Sequence, residues 1–246
     1  MSDNADARGT TPTVVLVHGG WADSSGWNQE ITSLQARGLA VLAAANPLRG
    51  LESDADYVRS VLKTIDGPIV LVGHSYGGAV ITNAAVGVEN VKALVYIAAF
   101  APDKGESLAQ LVTMNPGTQI VPEALTERAY RIPSGGTGTD LYLKKSVFHE
   151  TFAADLPLEI TDQMQATQRP FSAEAFGSAS GDPAWKTIPS WYMVARQDHA
   201  IPPATERFMA GRAKATTVEV DASHVPMMSQ PEATTRLILE AVGSIR

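Results

Sequence analysis

The stretch Val70-Leu71-Val72-Gly73-His74-Ser75-Tyr76-Gly77-Gly78-Ala79-Val80 sets narrow terms for the fold. An apolar run ends at Gly73, a serine stands between two glycines, and an alanine- and glycine-rich helical stretch follows. That order predicts strand, sharp turn and helix. A serine at the tip of such a turn occupies a strained backbone conformation, so the residues two before and two after it must lack colliding side chains; Gly73 and Gly77 meet that demand. The turn also leaves Ser75 at a helix N-terminus, where free N–H groups and the positive end of the helix dipole favour a developing oxyanion. Acyl chemistry suits such a place. On the short pattern alone, a glycine-rich turn whose serine merely caps the helix reads the same; the strand before and the helix after tip the balance.

The flanking sequence repeats the alternation. Thr13 to His18 is a continuous apolar run between Pro12 and Gly19, as expected for a strand buried on both faces of a parallel sheet. A helix is expected from about Trp27 to Arg37, with Ser24 or Ser25 as its cap and Gly38 as its stop, then a strand within Leu39 to Ala45. A helix over Ser53 to Ile65, the strand before Ser75, the helix after it and a strand over Val91 to Ala98 follow. After a break, Ile188 to Ala195 and Thr216 to Val220 read as strands, and Pro203 to Gly211 and Pro231 to Val242 as helices. Strand alternating with helix predicts an α/β fold, with right-handed crossovers, a mostly parallel central sheet and helices on both faces.

Between 101 and 182 the regularity lapses, with Pro102, Pro116, Pro122, Pro133, Pro157 and Pro170 and a Ser134-Gly135-Gly136-Thr137-Gly138 loop. This segment reads as an insertion forming a cap on a core of 12–100 and 183–246, with 1–11 as a mobile arm. The glycine loop lacks the lysine of a phosphate cradle and reads as a plain turn. Tyr130, Tyr142, Phe148, Phe152, Phe171 and Phe176 are candidates for a pocket lining, although each taken singly is better explained as packing inside the insertion.

Composition limits the chemistry. The chain has 246 residues, enough for one large α/β domain, and no cysteine, so disulfides, thiolate metal sites and a cysteine nucleophile are excluded. A formal charge of −7 and no basic run argue against nucleic acid or an anionic membrane surface as partner. The polar first residues have no apolar signal core, and the longest unbroken apolar stretch, Ala93 to Ala101, is far too short to span a bilayer. A cytoplasmic protein acting on a small neutral molecule is expected, with a homodimer left open. No metal-ligand spacing appears, and neither metal nor cofactor is expected.

A serine nucleophile needs an imidazole to take its proton and a carboxylate to orient that imidazole. Both late strands end in candidates: Arg196-Gln197-Asp198-His199 and Asp221-Ala222-Ser223-His224. Loops after parallel strands gather on one sheet edge, so Ser75, Asp198 and His224 can converge. His224 is the favoured base and His199 its rival; His18 and His74 lie in the turns themselves and read as structural, and His149 lies in the insertion. Asp198 competes with Asp103 and Asp221, the latter reading as a turn residue capping its own backbone. Gly19-Gly20-Trp21 after the first strand lets backbone approach closely, which assigns the Gly20 N–H, with that of Tyr76, to an oxyanion hole.

Val17-His18-Gly19-Gly20-Trp21, Gly73-His74-Ser75-Tyr76-Gly77-Gly78, Ala98-Ala99-Phe100-Ala101-Pro102, Asp198-His199-Ala200-Ile201-Pro202 and Ser223-His224 together resemble the α/β-hydrolases. The resemblance is to the branch holding plant methylesterases, hydroxynitrile lyases and bacterial esterases, and it covers Thr13 to Phe100 and 185–242. It implies a cofactor-free serine esterase with Ser75 as nucleophile, His224 as base, Asp198 as orienter, and Gly20 and Tyr76 donating to the oxyanion. A carbon–carbon lyase with the same triad and a non-catalytic receptor are the alternatives. In the lyases a lysine follows the histidine and a threonine stands in the oxyanion loop; here Val225 and Gly19 take those places, which favours a hydrolase of small to medium apolar esters.

Overall fold

Residues 11–133 and 135–245 are described by a computed structural model. The expected mobile arm, apart from Thr11, and Ser134 of the glycine loop lie outside the described residues. Apolar runs form the strands where sequence places them: β1 (Thr13–Val17) leads through a short 3₁₀ turn to α1 (Asn28–Gln35), then β2 (Val41–Ala44), α2 (Leu51–Leu62), β3 (Ile69–Ser75), α3 (Tyr76–Ala84) and β4 (Val91–Ala99). The cap of the 3₁₀ turn is Asp23, not Ser24 or Ser25, and its carboxylate accepts the Ser25 N–H at 2.7 Å. Gly38, just past α1, adopts φ +78°, the left-handed conformation that ends the segment.

The segment after β4 has a small sheet of its own. It contains α4 (Leu108–Val112), β5 (Leu125–Arg131), β6 (Thr137–Leu143), α5 (Lys145–Phe152), α6 (Leu158–Thr167), β7 (Phe171–Ser172) and α7 (Ala173–Gly177). β5, β6 and β7 pair antiparallel. Of the glycine loop, Gly135 and Gly136 lie in the turn between β5 and β6, and Thr137 and Gly138 begin β6. The regular alternation returns with β8 (Ser190–Ala195), α8 (Pro203–Arg212), β9 (Thr216–Val220), α9 (Pro226–Ser229) and α10 (Pro231–Ser244).

The central sheet runs β2-β1-β3-β4-β8-β9, and all five pairings are parallel. The chain moves outward from β1 to β2, returns across β1 to β3, and then continues in the other direction. With right-handed crossovers this puts α1 on one face and α2, α3 and α8 on the other. The packing agrees: α1 touches α10, and α2 touches α3. Both faces of the sheet are thereby covered, which is why Val14 to Val17, Ile69 to Val72 and Leu94 to Ile97 are all buried. The reversal between β1 and β3 opens a crevice at the C-terminal ends of those strands, where open α/β sheets hold their sites.

Candidate active site

Ser75 ends β3 with φ 52° and ψ −125°, well outside the regions a side chain prefers. The strain survives because the surroundings leave the turn no alternative. A Cβ on Gly73 would lie 2.6 Å from the Gly77 carbonyl oxygen, one on Gly77 would run into the Val17 carbonyl, and one on Gly78 would meet the Ala99 Cβ at 2.7 Å. A register shift between His74 and Ser75 pairs the serine with Ala99, and the Phe100 N–H holds the Ser75 carbonyl at 3.1 Å.

The loops after β8 and β9 bring the other two candidates to this turn. The Ser75 hydroxyl donates to His224 Nε2 at 2.8 Å, and His224 Nδ1–H donates to Asp198 Oδ2 at 2.5 Å. The other Asp198 oxygen accepts the N–H groups of Ala200 at 2.6 Å and Ile201 at 2.9 Å. These bonds fix the carboxylate's rotation, so its remaining lone pairs point at one ring nitrogen. The two loops are tied to each other by Gln197 N–H to Ala222 O at 3.0 Å. His74 Nε2–H donates to the His224 carbonyl at 2.7 Å, and burial keeps this ring neutral by holding its pKa well below the usual histidine value. His18 and His74 are thus framework residues, as their positions in the turns suggested.

The rival residues point elsewhere. His199 is part-exposed and sits against Glu150 and Gln119. Asp103 pairs with Lys186 at 2.6 Å. Asp221 pairs with Arg196 at 2.7 Å, so it is an exposed ion-pair partner and not a cap on its own backbone.

Gly20 and Tyr76 border the same cavity as Ser75 and His224, together with Phe100, Leu108, Val112, Ile120, Phe171 and Phe176; it is narrow, with a volume of about 20 Å³. The Gly20 N–H has no backbone acceptor among the described residues. Tyr76 is the first residue of α3, so its N–H has no intrahelical acceptor. Gly19 must be bare as well, since a Cβ there would stand 2.6 Å from the Ser75 Cβ. Of the six aromatic candidates, Phe171 and Phe176 line the cavity, and Phe152 lies edge-on to His224 with ring centres 5.0 Å apart beside Phe148. Tyr130 and Tyr142 carry the guanidinium groups of Arg49 and Arg128 instead. No lysine borders the cavity: Lys104 pairs with Asp182, Lys144 reaches the Glu123 carbonyl, and Lys145 lies beside Asp162. A larger concavity, bordered by Pro12, Pro68, Glu89 and Trp191, lies at the opposite edge of the sheet.

Three contributors escaped the sequence reading. Glu206 on α8 is fully buried beside Asp198; burial, then the Asp198 charge, pushes its carboxyl well above the usual carboxylate range, and one of its oxygens accepts the Ala195 N–H at 3.0 Å. Asp155, between α5 and α6, accepts the N–H of Ser223 at 3.0 Å and its hydroxyl, anchoring the residue before His224. Asp54 accepts the Tyr76 hydroxyl at 2.7 Å, with its pKa raised chiefly by burial. An acid on a helix carries no local mark that it faces inward, so only the pattern of the whole helix could have hinted at Glu206 or Asp54.

Comparison with known proteins agrees with the architecture. A putative chloroplastic methylesterase 11 of Arabidopsis thaliana is 23% identical over 244 residues, covering 92% of this chain; the chain spans 63% of that protein's length. A pyrethroid hydrolase of Sphingobium wenxiniae is 26% identical over 252 residues, covering 91% of this chain and 85% of its own. The crystal structure of polyneuridine aldehyde esterase superposes with a TM-score of 0.77 to 0.79 in its two forms, and the higher match, at 20% identity, covers 94% of this chain and 98% of that one. The model of the alpha/beta hydrolase family matches residues 14–237, from the first strand into the last helix, and so takes in the serine turn and both late loops. With that match over most of its length, the chain belongs to the α/β-hydrolase family.

Proposed function

We propose that this protein is a serine hydrolase that cleaves small to medium apolar carboxylic esters through an acyl-enzyme. The observation that carries the reading is the unbroken run of hydrogen bonds from Ser75 through His224 to Asp198, opening on an apolar cavity. The names of the methylesterase and the pyrethroid hydrolase point to the same chemistry. Ser75 Oγ attacks the acyl carbon as its proton passes to His224 Nε2, and Asp198 stabilises the imidazolium through Nδ1–H. The carbonyl oxygen becomes an oxyanion and receives the Gly20 and Tyr76 N–H groups. His224 returns the proton to the departing alkoxide, leaving an acyl-serine. Water then loses a proton to Nε2, attacks the acyl carbon and restores Ser75 with release of the acid. Residues 101–182 serve as the cap, supplying Leu108, Val112, Ile120, Phe171 and Phe176 to an uncharged acyl site.

Cyanohydrin cleavage by the same residues would need a cation beside departing cyanide, and among the described residues no lysine or arginine borders the cavity. The test compares purified protein on naphthyl acetate and on mandelonitrile. Naphthol release that is lost in Ser75→Ala, with benzaldehyde release at the buffer rate, is the expected result. The reverse pattern would sink the esterase reading. Failure of a fluorophosphonate to label the protein would instead favour a receptor.

A further inference from the structure

The oxyanion loop is held by a side chain that belongs to the cap. Arg169, between α6 and β7, sends Nη1 to His18 Nε2 at 3.1 Å and to the Asn46 carbonyl at 2.8 Å. The Asn46 N–H also donates to His18 Nε2 at 3.1 Å, while Asn46 Nδ2 donates to the His18 carbonyl at 3.0 Å. A ring nitrogen that receives two donors carries no proton, so the His18 proton is on Nδ1. From there it is donated to the Gly19 carbonyl at 2.9 Å. The ring is neutral at ordinary pH: its pKa is lowered to about 4, first by burial, with Arg169 acting in the same sense and Asp23 against it.

The consequence lies in the peptide that joins Gly19 to Gly20. In a planar trans peptide the C=O and the next N–H point in opposite directions. Holding the Gly19 oxygen therefore sets the direction of the Gly20 N–H, the group assigned to the oxyanion. With no Cβ at either residue, this peptide has more freedom to flip than most, so its aim needs an outside restraint. The same stretch of cap closes over the second donor. The Phe171 ring lies against Gly20, where a Cβ would meet it at 2.8 Å, and against the Tyr76 ring at 4.8 Å between centres.

We propose that Arg169 is a positioning residue: from the cap, it joins the Asn46 N–H in holding His18 Nε2 unprotonated and thereby aims the Gly20 N–H into the oxyanion hole. The proposal rests on the ester-hydrolase reading only for its kinetic consequence. Catalysis then depends on the cap being seated, because a displaced cap takes Arg169 from the ring and releases the peptide. A misaimed donor weakens transition-state binding more than ground-state binding, so the loss should fall on kcat.

Two readouts separate this from a merely structural role. The first is the pair of imidazole nitrogen resonances of His18, recorded on ¹⁵N-labelled protein at neutral pH. The wild type should show Nδ1 protonated and Nε2 unprotonated, and Arg169→Ala, which leaves Nε2 the Asn46 N–H alone, should shift the Nε2 signal. The second is the steady-state kinetics of naphthyl acetate hydrolysis. Arg169→Ala should lower kcat about ten- to a hundredfold, below the cost of deleting a donor outright, with KM within about twofold; Arg169→Lys, which can still donate, should recover most of the loss. A wild-type ring protonated at Nε2 overturns the proposal even if Arg169→Ala cannot be folded. So does an Arg169→Ala protein whose kcat stays within twofold of wild type, or whose loss falls on KM alone. A wild-type protein without ester turnover, yet with the Nδ1–H ring disturbed in Arg169→Ala, would contradict the proposed reaction and support the restraint.

Discussion

Asp198 is held by two backbone N–H groups on one oxygen and by His224 on the other, with the buried Glu206 carboxyl beside it. A buried carboxylate with fewer donors would raise the cost of keeping its charge and weaken its grip on the imidazole. As a neutral acid, which burial and the Asp198 charge favour, Glu206 would give a hydrogen bond to Asp198 while it takes one from Ala195. An amide can do both. Glu206→Gln should therefore keep kcat within about threefold of wild type, whereas Glu206→Ala, which removes the donor and leaves a hole, should lower kcat about tenfold and destabilise by roughly 2–4 kcal/mol. Steady-state kinetics and thermal melts of the two variants check this; equal damage from both would mean that Glu206 carries a charge.

At the scale of elements, Arg49, between β2 and α2, straps down the segment that follows β4. Its guanidinium pairs with Asp140 of β6 at 2.8 Å, donates to the Pro170 carbonyl at 2.9 Å and lies over the Tyr130 ring of β5. Arg49→Ala should cost about 1–2 kcal/mol, because the ion pair is only part-buried, and should speed proteolytic cleavage at the β5–β6 turn before the core unfolds. Cleavage no faster than in wild type would deny the strap. The same hairpin marks the limit of what could be read from the sequence. β1, β3 and β4 were legible because covering both sheet faces demands unbroken apolar runs between turn residues. β5, Leu125-Thr126-Glu127-Arg128-Ala129-Tyr130-Arg131, has no fully buried position, so no alternation records its strand. α6 likewise buries only Thr161. Ser75, Asp198 and His224 were legible because each follows a readable strand. The grip of Arg169 on His18 was not, because it joins positions 151 residues apart.

For the molecule as a whole, stability should carry the mark of an acid buried without a partner. Glu30, in the first turn of α1, is fully buried; burial pushes its pKa up to about 8, opposed by its own backbone N–H, and among the described residues neither carboxyl oxygen has another partner. Folded protein holds this proton where unfolded chain has released it, so stability is complete below the unfolded value of about 4.5 and declines as pH rises to about 8. The full swing is at most about 4–5 kcal/mol. Neutral burial of His18 and His74 works in the opposite sense below pH ~6.5, so the variant difference is the clean readout. Glu30→Gln should gain on wild type in denaturant midpoint from pH 5 to 8, with the gap constant above; a gap independent of pH would contradict the assignment. The architecture around that helix brings loops from four parallel strands to one crevice, and the account stands or falls on the serine there becoming acylated. The direct measurement is mass spectrometry of protein quenched in acid within milliseconds of mixing with excess naphthyl acetate. One acetyl group on the peptide bearing Ser75, accumulating in His224→Ala only far more slowly and absent in Ser75→Ala, is the predicted result. Ester turnover with no acetyl on Ser75, or with acetyl on another residue of the same turnover-competent protein, would contradict it.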